Sequence, residues 1–93
     1  MDNIKETNNY FYIGETFENK QAYIEYAIND DVLVIESTKV NASLRGQGIA
    51  ATLVDYAVHY ARQHNYSIKP VCSYALKQLK NNPEYQDVYK QSN

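Results

Sequence analysis

The sequence of 93 residues contains one cysteine, two prolines, three glycines and no tryptophan. With Cys72 alone, the chain excludes an intrachain disulfide and any zinc site built from several cysteines. No His, Asp or Glu grouping has the spacing of metal ligands, so we expect no metal. A basic excess is also missing, since nine Lys and Arg face eleven Asp and Glu. We therefore expect no nucleic-acid partner.

Long hydrophobic runs are absent as well. The longest uninterrupted aliphatic run covers residues 32–35, which is far too short to cross a bilayer. Residues 1–12 lack the basic start and the apolar core of a secretory signal. Together with the unpaired cysteine, these absences predict a cytoplasmic protein with no membrane partner.

The chain does hold enough apolar material for one small core. Hydrophobic residues make up 44% of it, and ten of its residues are tyrosines. Because no disulfide or metal is expected to hold the fold together, the tyrosines should carry much of the packing. We predict a single domain over residues 1–93.

Hydrophobic periodicity predicts the elements of this domain. The alternation of Ala22, Ile24, Tyr26 and Ile28 is typical of a half-buried antiparallel strand over residues 22–29. The aliphatic run within a second strand, 32–38, indicates burial on both faces. We also predict strands at 10–15 and 66–71, a turn at 16–20, an amphipathic helix over 48–64 capped by Asn65, and a short helix over 73–81 with Ser73 as its N-cap. Residues 1–8 should fray, and 84–90 should form one or two helical turns.

The order of these elements predicts an α/β (α+β) fold with a mixed, mainly antiparallel sheet. Residues 32–71 form one β-α-β unit, whose two strands should be parallel and joined by a right-handed crossover. Ligands of such units bind outside the carboxyl ends of the strands. This rule indicates three places for a site: residues 38–40, the loop 44–48, and Cys72 with Ser73.

The loop before the long helix concentrates unusual residues. Two of the three glycines and one of the two arginines lie within residues 44–50. Glycine lets a backbone approach a phosphate closely, and the following helix N-terminus adds free N–H donors. A loop whose glycines serve only to turn the chain would look the same, so both interpretations remain open at this point.

Arg45-Gly46-Gln47-Gly48-Ile49-Ala50 resembles the pyrophosphate loop of GNAT N-acetyltransferases, Q/R-x-x-G-x-G/A. A second stretch, Pro-Val-Cys-Ser-Tyr-Ala at 70–75 followed by Asn-Pro-Glu-Tyr at 82–85, resembles the small GNAT-like subfamily with a YjdJ-type acetyltransferase domain. The resemblance covers residues 10–89. Members of that subfamily often have a histidine immediately before the threonine of the central strand, where this chain has Ser37.

The resemblance implies a truncated GNAT core that binds acetyl-CoA and transfers its acetyl group to an acceptor the sequence does not identify. Backbone groups near Thr38 and Val40 would hold the pantetheine arm, and residues 45–50 the pyrophosphate. Lys39 is either a solvated charge or a further phosphate contact. The candidate cofactor-binding residues are Thr38, Lys39, Val40, Arg45, Gly46, Gln47, Gly48, Ile49, Ala50 and Ser73.

Cys72 is the candidate nucleophile. It lies where a strand ends and a helix begins, and a helix N-terminus favours the thiolate. In this interpretation Cys72 accepts the acetyl group and passes it on. A lone cysteine is also often a buried, inert core residue. Tyr74 is either a general acid or a packing residue, and His59 and His64 are interpreted as a surface residue and a helix-end residue.

Three functions follow from these residues. The leading hypothesis is an acetyl-CoA-dependent acyltransferase of the GNAT-like N-acetyltransferase type, with Cys72 as its nucleophile. The alternative is a non-catalytic protein that binds or senses acetyl-CoA. A third possibility is a small interaction module whose glycine loop binds no cofactor.

Overall fold

The computed structural model describes residues 3–90 of the chain. It contains five strands, two helices and two short 3-10 turns. The strands are β1 (Ile4–Thr7), β2 (Tyr10–Ile13), β3 (Ala22–Asn29), β4 (Val32–Val40) and β5 (Ser67–Pro70). The helices are α1 (Ile49–His64) and α2 (Ser73–Asn81), and the 3-10 turns are Ala42–Leu44 and Pro83–Tyr85.

The strands form one sheet in the order β1-β2-β3-β4-β5. Neighbours from β1 to β4 pair antiparallel, whereas β4 and β5 pair in parallel and are connected through α1. This arrangement confirms the predicted fold class, a mixed and mainly antiparallel sheet with one parallel pair. No helix in the part of the chain that the structure describes is both long and apolar enough to span a membrane.

Alternate strand residues and one face of each helix form a single hydrophobic core. Leu33 and Ile35 of β4 are fully buried in it, as are Leu53 and Val58 of α1. Val34 points away from this core and is only partly buried, so β4 is covered more completely on one face than on the other. The prediction of a strand buried on both faces was therefore wrong for β4.

The N-terminal end differs from the sequence-based expectation. Residues 4–7 form β1, which pairs with β2 from Ile4 opposite Ile13 to Thr7 opposite Tyr10, rather than fraying. The two strands are joined by a tight turn in which Asn9 takes a left-handed conformation with φ 74°. Residues 1 and 2 of the predicted frayed start lie outside the described residues.

The helix ends also test the predictions. Asn65 caps α1 in the left-handed conformation, φ 60°, as predicted. The N-cap of α2 is Cys72 and not Ser73, because Cys72 has extended backbone angles and its carbonyl already accepts the first helical hydrogen bond, from Leu76 N–H at 2.9 Å. Ser73 is therefore the first residue inside the helix.

The C-terminal segment forms helical turns over part of the predicted range 84–90 and then runs along β5. Pro83–Tyr85 forms a 3-10 turn, and the N–H groups of Val88 and Tyr89 both donate to Tyr85 O, at 3.2 Å and 3.1 Å. Ile68 N–H then donates to Val88 O at 2.7 Å, and Lys90 N–H donates to Ile68 O at 2.8 Å. The Arg62 side chain ties this segment to α1, with Nε 2.8 Å from Asp87 Oδ2. The outer edge of β5 is thus partly covered by the chain's own C-terminal segment.

Candidate functional site

The site begins with a β-bulge in β4. Glu25 of β3 lies opposite Ser37, but the next residue, Tyr26, lies opposite Ile35, so Glu36 is an extra residue without a partner. A bulge of this kind bends the strand and re-aims the side chains that follow it. Beyond Glu36, the side chains of β4 therefore face opposite sides from those that an unbroken alternation would give.

After the bulge, alternate residues of β4 face the two sides of the sheet. Thr38 lies opposite Ile24 and Val40 opposite Ala22, and both partners belong to the core. The side chains of Thr38 and Val40 consequently face the helices. Lys39, between them, points to the other face and is exposed.

The two parallel strands separate just beyond the bulge. Their pairing ends at Ile35 and Pro70. The N–H groups of Val71 and Cys72 both donate to Ile35 O, at 2.9 Å and 3.1 Å, and the chain then enters α2. Within residues 3–90, no strand pairs with the β5 side of β4 over residues 36–40. An edge of backbone donors and acceptors is therefore available next to the N-terminus of α2.

The loop of residues 44–48, called the glycine loop below, lies at the N-terminus of α1. Gly48 caps the helix in a left-handed conformation, φ 75°, without a side-chain hydrogen bond, and Gly46 has φ 85°. The first turn of α1 contains no acidic residue, so its free N–H groups and positive partial charge are not neutralised locally. Arg45, within the loop, is exposed. The loop has the charge and the backbone geometry that an anion requires.

A cleft of about 580 Å³ joins the loop to the free edge of β4. Eight of the ten predicted cofactor-binding residues line it: Thr38, Lys39, Val40, Arg45, Gly46, Gly48, Ile49 and Ala50. Gln47 and Ser73 do not line the cleft and are exposed. Leu44, Ala51 and Tyr74 also line it and were not among the predicted cofactor contacts. The first two directly flank the predicted motif, so a wider reading of the loop would have included them.

Cys72 does not line this cleft but contacts Thr38, which does. Its Sγ is 3.5 Å from Thr38 Oγ1, and the side chain is partly buried. Burial opposes ionisation of the thiol, but hydrogen bonds from Thr38 and from the backbone N–H groups of Ala75 and Tyr74 together outweigh it and lower the pKa of Cys72 below its ordinary value. A lowered pKa favours the thiolate, which is the nucleophilic form of cysteine.

The remaining polar residues of interest lie elsewhere. Ser37 faces the opposite side of the sheet from Thr38 and donates to Glu25 Oε1 at 3.4 Å. His59 is an exposed partner of Asp55 on α1, at 3.4 Å. His64 packs against Tyr60, with ring centroids 4.2 Å apart and an angle of 34° between the ring planes. Neither histidine lines the cleft, and among residues 3–90 no three His, Cys, Asp or Glu side chains cluster as metal ligands would.

Comparison with known proteins agrees with this geometry. The family model described as GCN5-related N-acetyl-transferase matches residues 10–88. The chain is also similar to a GCN5-like protein from Staphylococcus aureus, classed with the N-acetyltransferases, whose structure was solved by NMR in solution: the sequences are 36% identical, the match covers 98% of this chain and 90% of that one, and the TM-score is 0.82. No curated protein sequence matches the chain. From the family match, which covers most of its residues, and from its fold, the chain belongs to the GCN5-related N-acetyltransferase family.

Proposed function

We propose that this protein is an acetyl-CoA-dependent acyltransferase with Cys72 as its nucleophile. The observation that carries the proposal is the cleft itself, which brings together the glycine loop and the unpaired edge of β4, and whose lining residue Thr38 contacts the Cys72 thiol. Enzymes of this family use acetyl-CoA as cosubstrate. The proposed unit is a single domain over residues 1–93 that acts in the cytoplasm on an acceptor of unknown chemistry.

The residues of the cleft fit the two halves of acetyl-CoA. Gly46, Gly48 and the first N–H groups of α1 offer donors to the pyrophosphate, and Arg45 adds a permanent positive charge. The free edge of β4 offers backbone N–H and C=O groups to the amides of the pantetheine arm, as a sheet edge does to an extended peptide. The side chains of Thr38 and Val40 provide the wall next to this edge.

In the proposed reaction, the Cys72 thiolate attacks the acetyl carbonyl carbon of the cosubstrate. A carbon–sulfur bond to Cys72 forms, the bond to the coenzyme sulfur breaks, and the coenzyme leaves as a thiolate that takes up a proton. A nucleophilic acceptor then attacks the Cys72 thioester and receives the acetyl group, which regenerates the Cys72 thiolate. The hydrogen bonds from Thr38 and from the start of α2 support the thiolate in both steps.

A non-catalytic acetyl-CoA binding or sensing protein is the second candidate. The observation in its favour is the side-chain partner of Cys72, which is the Thr38 hydroxyl and not an imidazole or a carboxylate. Ser37, at the position where similar proteins often have histidine, faces the other side of the sheet. Such a protein would bind acetyl-CoA in the same cleft without forming a thioester. An interaction module would bind no coenzyme at all.

An amide NMR titration with acetyl-CoA, combined with intact-mass spectrometry, tests these candidates. We expect the largest shift changes at residues 38–40, 44–51 and 72–75, and a gain of one acetyl group that is lost in Cys72→Ser. No shift changes at millimolar acetyl-CoA would refute any coenzyme role. Shift changes without acetylation, together with unchanged binding by Cys72→Ser, would refute the nucleophile and support the sensing protein.

A further inference from the structure

We propose that Thr38 is a positioning residue for the Cys72 thiol, whose hydroxyl holds the sulfur beside the cleft and hydrogen-bonds it in both protonation states. The inference builds on the proposed function, in which Cys72 reacts with acetyl-CoA. It concerns a side chain that lines the cleft and contacts the sulfur directly, with Thr38 Oγ1 3.5 Å from Cys72 Sγ.

The bulge decides which hydroxyl reaches the sulfur. Ile35 points into the core, so strict alternation along β4 would turn residue 37 to the same side and residue 38 away from it. The extra residue, Glu36, shifts this alternation by one position. As a result Thr38 faces the helices and Cys72, whereas Ser37 faces Glu25 on the opposite side.

Cys72 makes hydrogen bonds to β4 residues both before and after this bulge. Its main-chain N–H donates to Ile35 O at 3.1 Å, just before the extra residue, and its Sγ contacts Thr38, just after it. The neighbouring N–H of Val71 donates to the same carbonyl at 2.9 Å. These contacts fix both the backbone and the side chain of Cys72 relative to β4, and the contact of the side chain is with the Thr38 hydroxyl.

A hydroxyl group suits this role because it both donates and accepts. It accepts a hydrogen bond from the S–H group and, after the proton leaves, rotates to donate to the sulfur anion. Of the ionisable side chains, Lys69 precedes Cys72 by three residues and Glu36 follows Ile35, the backbone partner of Cys72, and both are exposed. Tyr74 of α2 is two residues from Cys72, and burial raises its pKa, so it stays neutral near pH 7. Burial and hydrogen bonds, rather than these side chains, shift the Cys72 pKa.

The test compares the pH dependence of Cys72 alkylation by iodoacetamide in four proteins, followed by intact mass. Thr38→Val keeps the side-chain shape and removes the hydroxyl, and Thr38→Ser keeps the hydroxyl. Ser37→Ala is the matched control, because it removes the neighbouring hydroxyl on the other face. We expect the inflection of the profile to move to higher pH in Thr38→Val alone. A move of one pH unit would slow alkylation about tenfold at pH values below the inflection.

Thr38→Ala removes the same hydroxyl, so it must give the same shift, and it replaces Thr38→Val if that variant does not fold. An unchanged inflection in the hydroxyl-free variant, or an equal shift in Ser37→Ala, would overturn the inference. The alkylation assay needs no acetyl-CoA, so it separates the two proposals. If the native protein is never acetylated but the inflection still moves, the positioning role of Thr38 stands and the proposed function fails.

Discussion

Replacing Gly48 should separate backbone strain in the free protein from loss of coenzyme binding. Gly48 has φ 75°, and a Cβ built on it would meet no atom within 4 Å, so no steric clash adds to the cost of a side chain. The left-handed conformation itself costs a non-glycine residue about 1–2 kcal/mol. A β-branched valine should pay at least this amount, whereas asparagine tolerates the conformation better. We expect Gly48→Val to lower the free energy of unfolding by about 1–2 kcal/mol, and Gly48→Asn by less.

Binding should respond differently from stability. Both substitutions put a side chain where the loop and the start of α1 would approach the pyrophosphate. We therefore expect both to weaken acetyl-CoA binding at least about tenfold, which corresponds to about 1.4 kcal/mol. Urea unfolding measures the first quantity, and isothermal titration calorimetry measures the second.

Gly14→Ala is the matched control for this pair. A Cβ at Gly14 would lie 2.7 Å from Lys20 Cα and 3.0 Å from Asn19 O, so this variant should be destabilised by a backbone clash at a glycine that does not line the cleft. Its affinity for acetyl-CoA should remain native. Native affinity in Gly48→Asn would refute the loop as the pyrophosphate site, and native stability in Gly48→Val would refute the strain argument.

Three further predictions concern single side chains. Arg45→Ala should weaken acetyl-CoA binding mainly at low salt, because the Arg45 guanidinium is exposed and salt screens its attraction for the phosphates, with a Debye length of about 10 Å at 0.1 M salt. An equal loss of affinity at low and high salt, measured by calorimetry, would contradict this. A hydrogen bond from Arg62 lowers the pKa of Asp87, so the stability this carboxylate contributes is present above its unfolded pKa of about 3.9 and is lost as pH falls through its lower folded pKa. Urea unfolding of Asp87→Asn should therefore show a shallower loss of stability than the native protein on acidification below about pH 4, and parallel curves would refute the link. Leu53→Ala removes a fully buried side chain and should cost about 2–5 kcal/mol in urea unfolding, whereas a loss below about 1 kcal/mol would show that α1 is not packed as described.

The parts of the fold that the sequence predicts well are those whose side chains carry a periodic pattern. The alternation from Ala22 to Ile28 predicted a strand over residues 22–29, and β3 has these bounds. The helical period predicted α1 to within one residue, and Asn65 ends it in the expected conformation. In both cases the hydrophobic residues of one buried face recur at a regular spacing within a single segment, so this local pattern is sufficient to predict the element.

Other features depend on pairing between distant segments. Three of the four side chains of β1 are exposed, so its hydropathy does not distinguish it from a frayed end, and only its pairing with β2 makes it a strand. The bulge at Glu36 exists only in the register between β3 and β4. The contact between Thr38 and Cys72 joins residues 34 positions apart. The loop motif predicted five of the eleven residues that line the cleft, and the end of the central strand three more. The contact between Thr38 and Cys72 and the bulge beside it could not be predicted from either segment alone.

The C-terminal segment against β5 has a consequence for the order in which the protein forms during synthesis. Strands β1 to β4 are consecutive in sequence and pair with their immediate neighbours, so they can assemble as the chain emerges. The parallel strand β5 has to wait for α1, and its outer edge stays open until residues 88–90 arrive. Because Tyr74 of α2 lines the cleft, the cleft is complete only after β5 and α2 have been added to the chain. A nascent chain that stalls before Cys72 would already contain ten of the eleven residues that line the cleft and would still lack the candidate nucleophile.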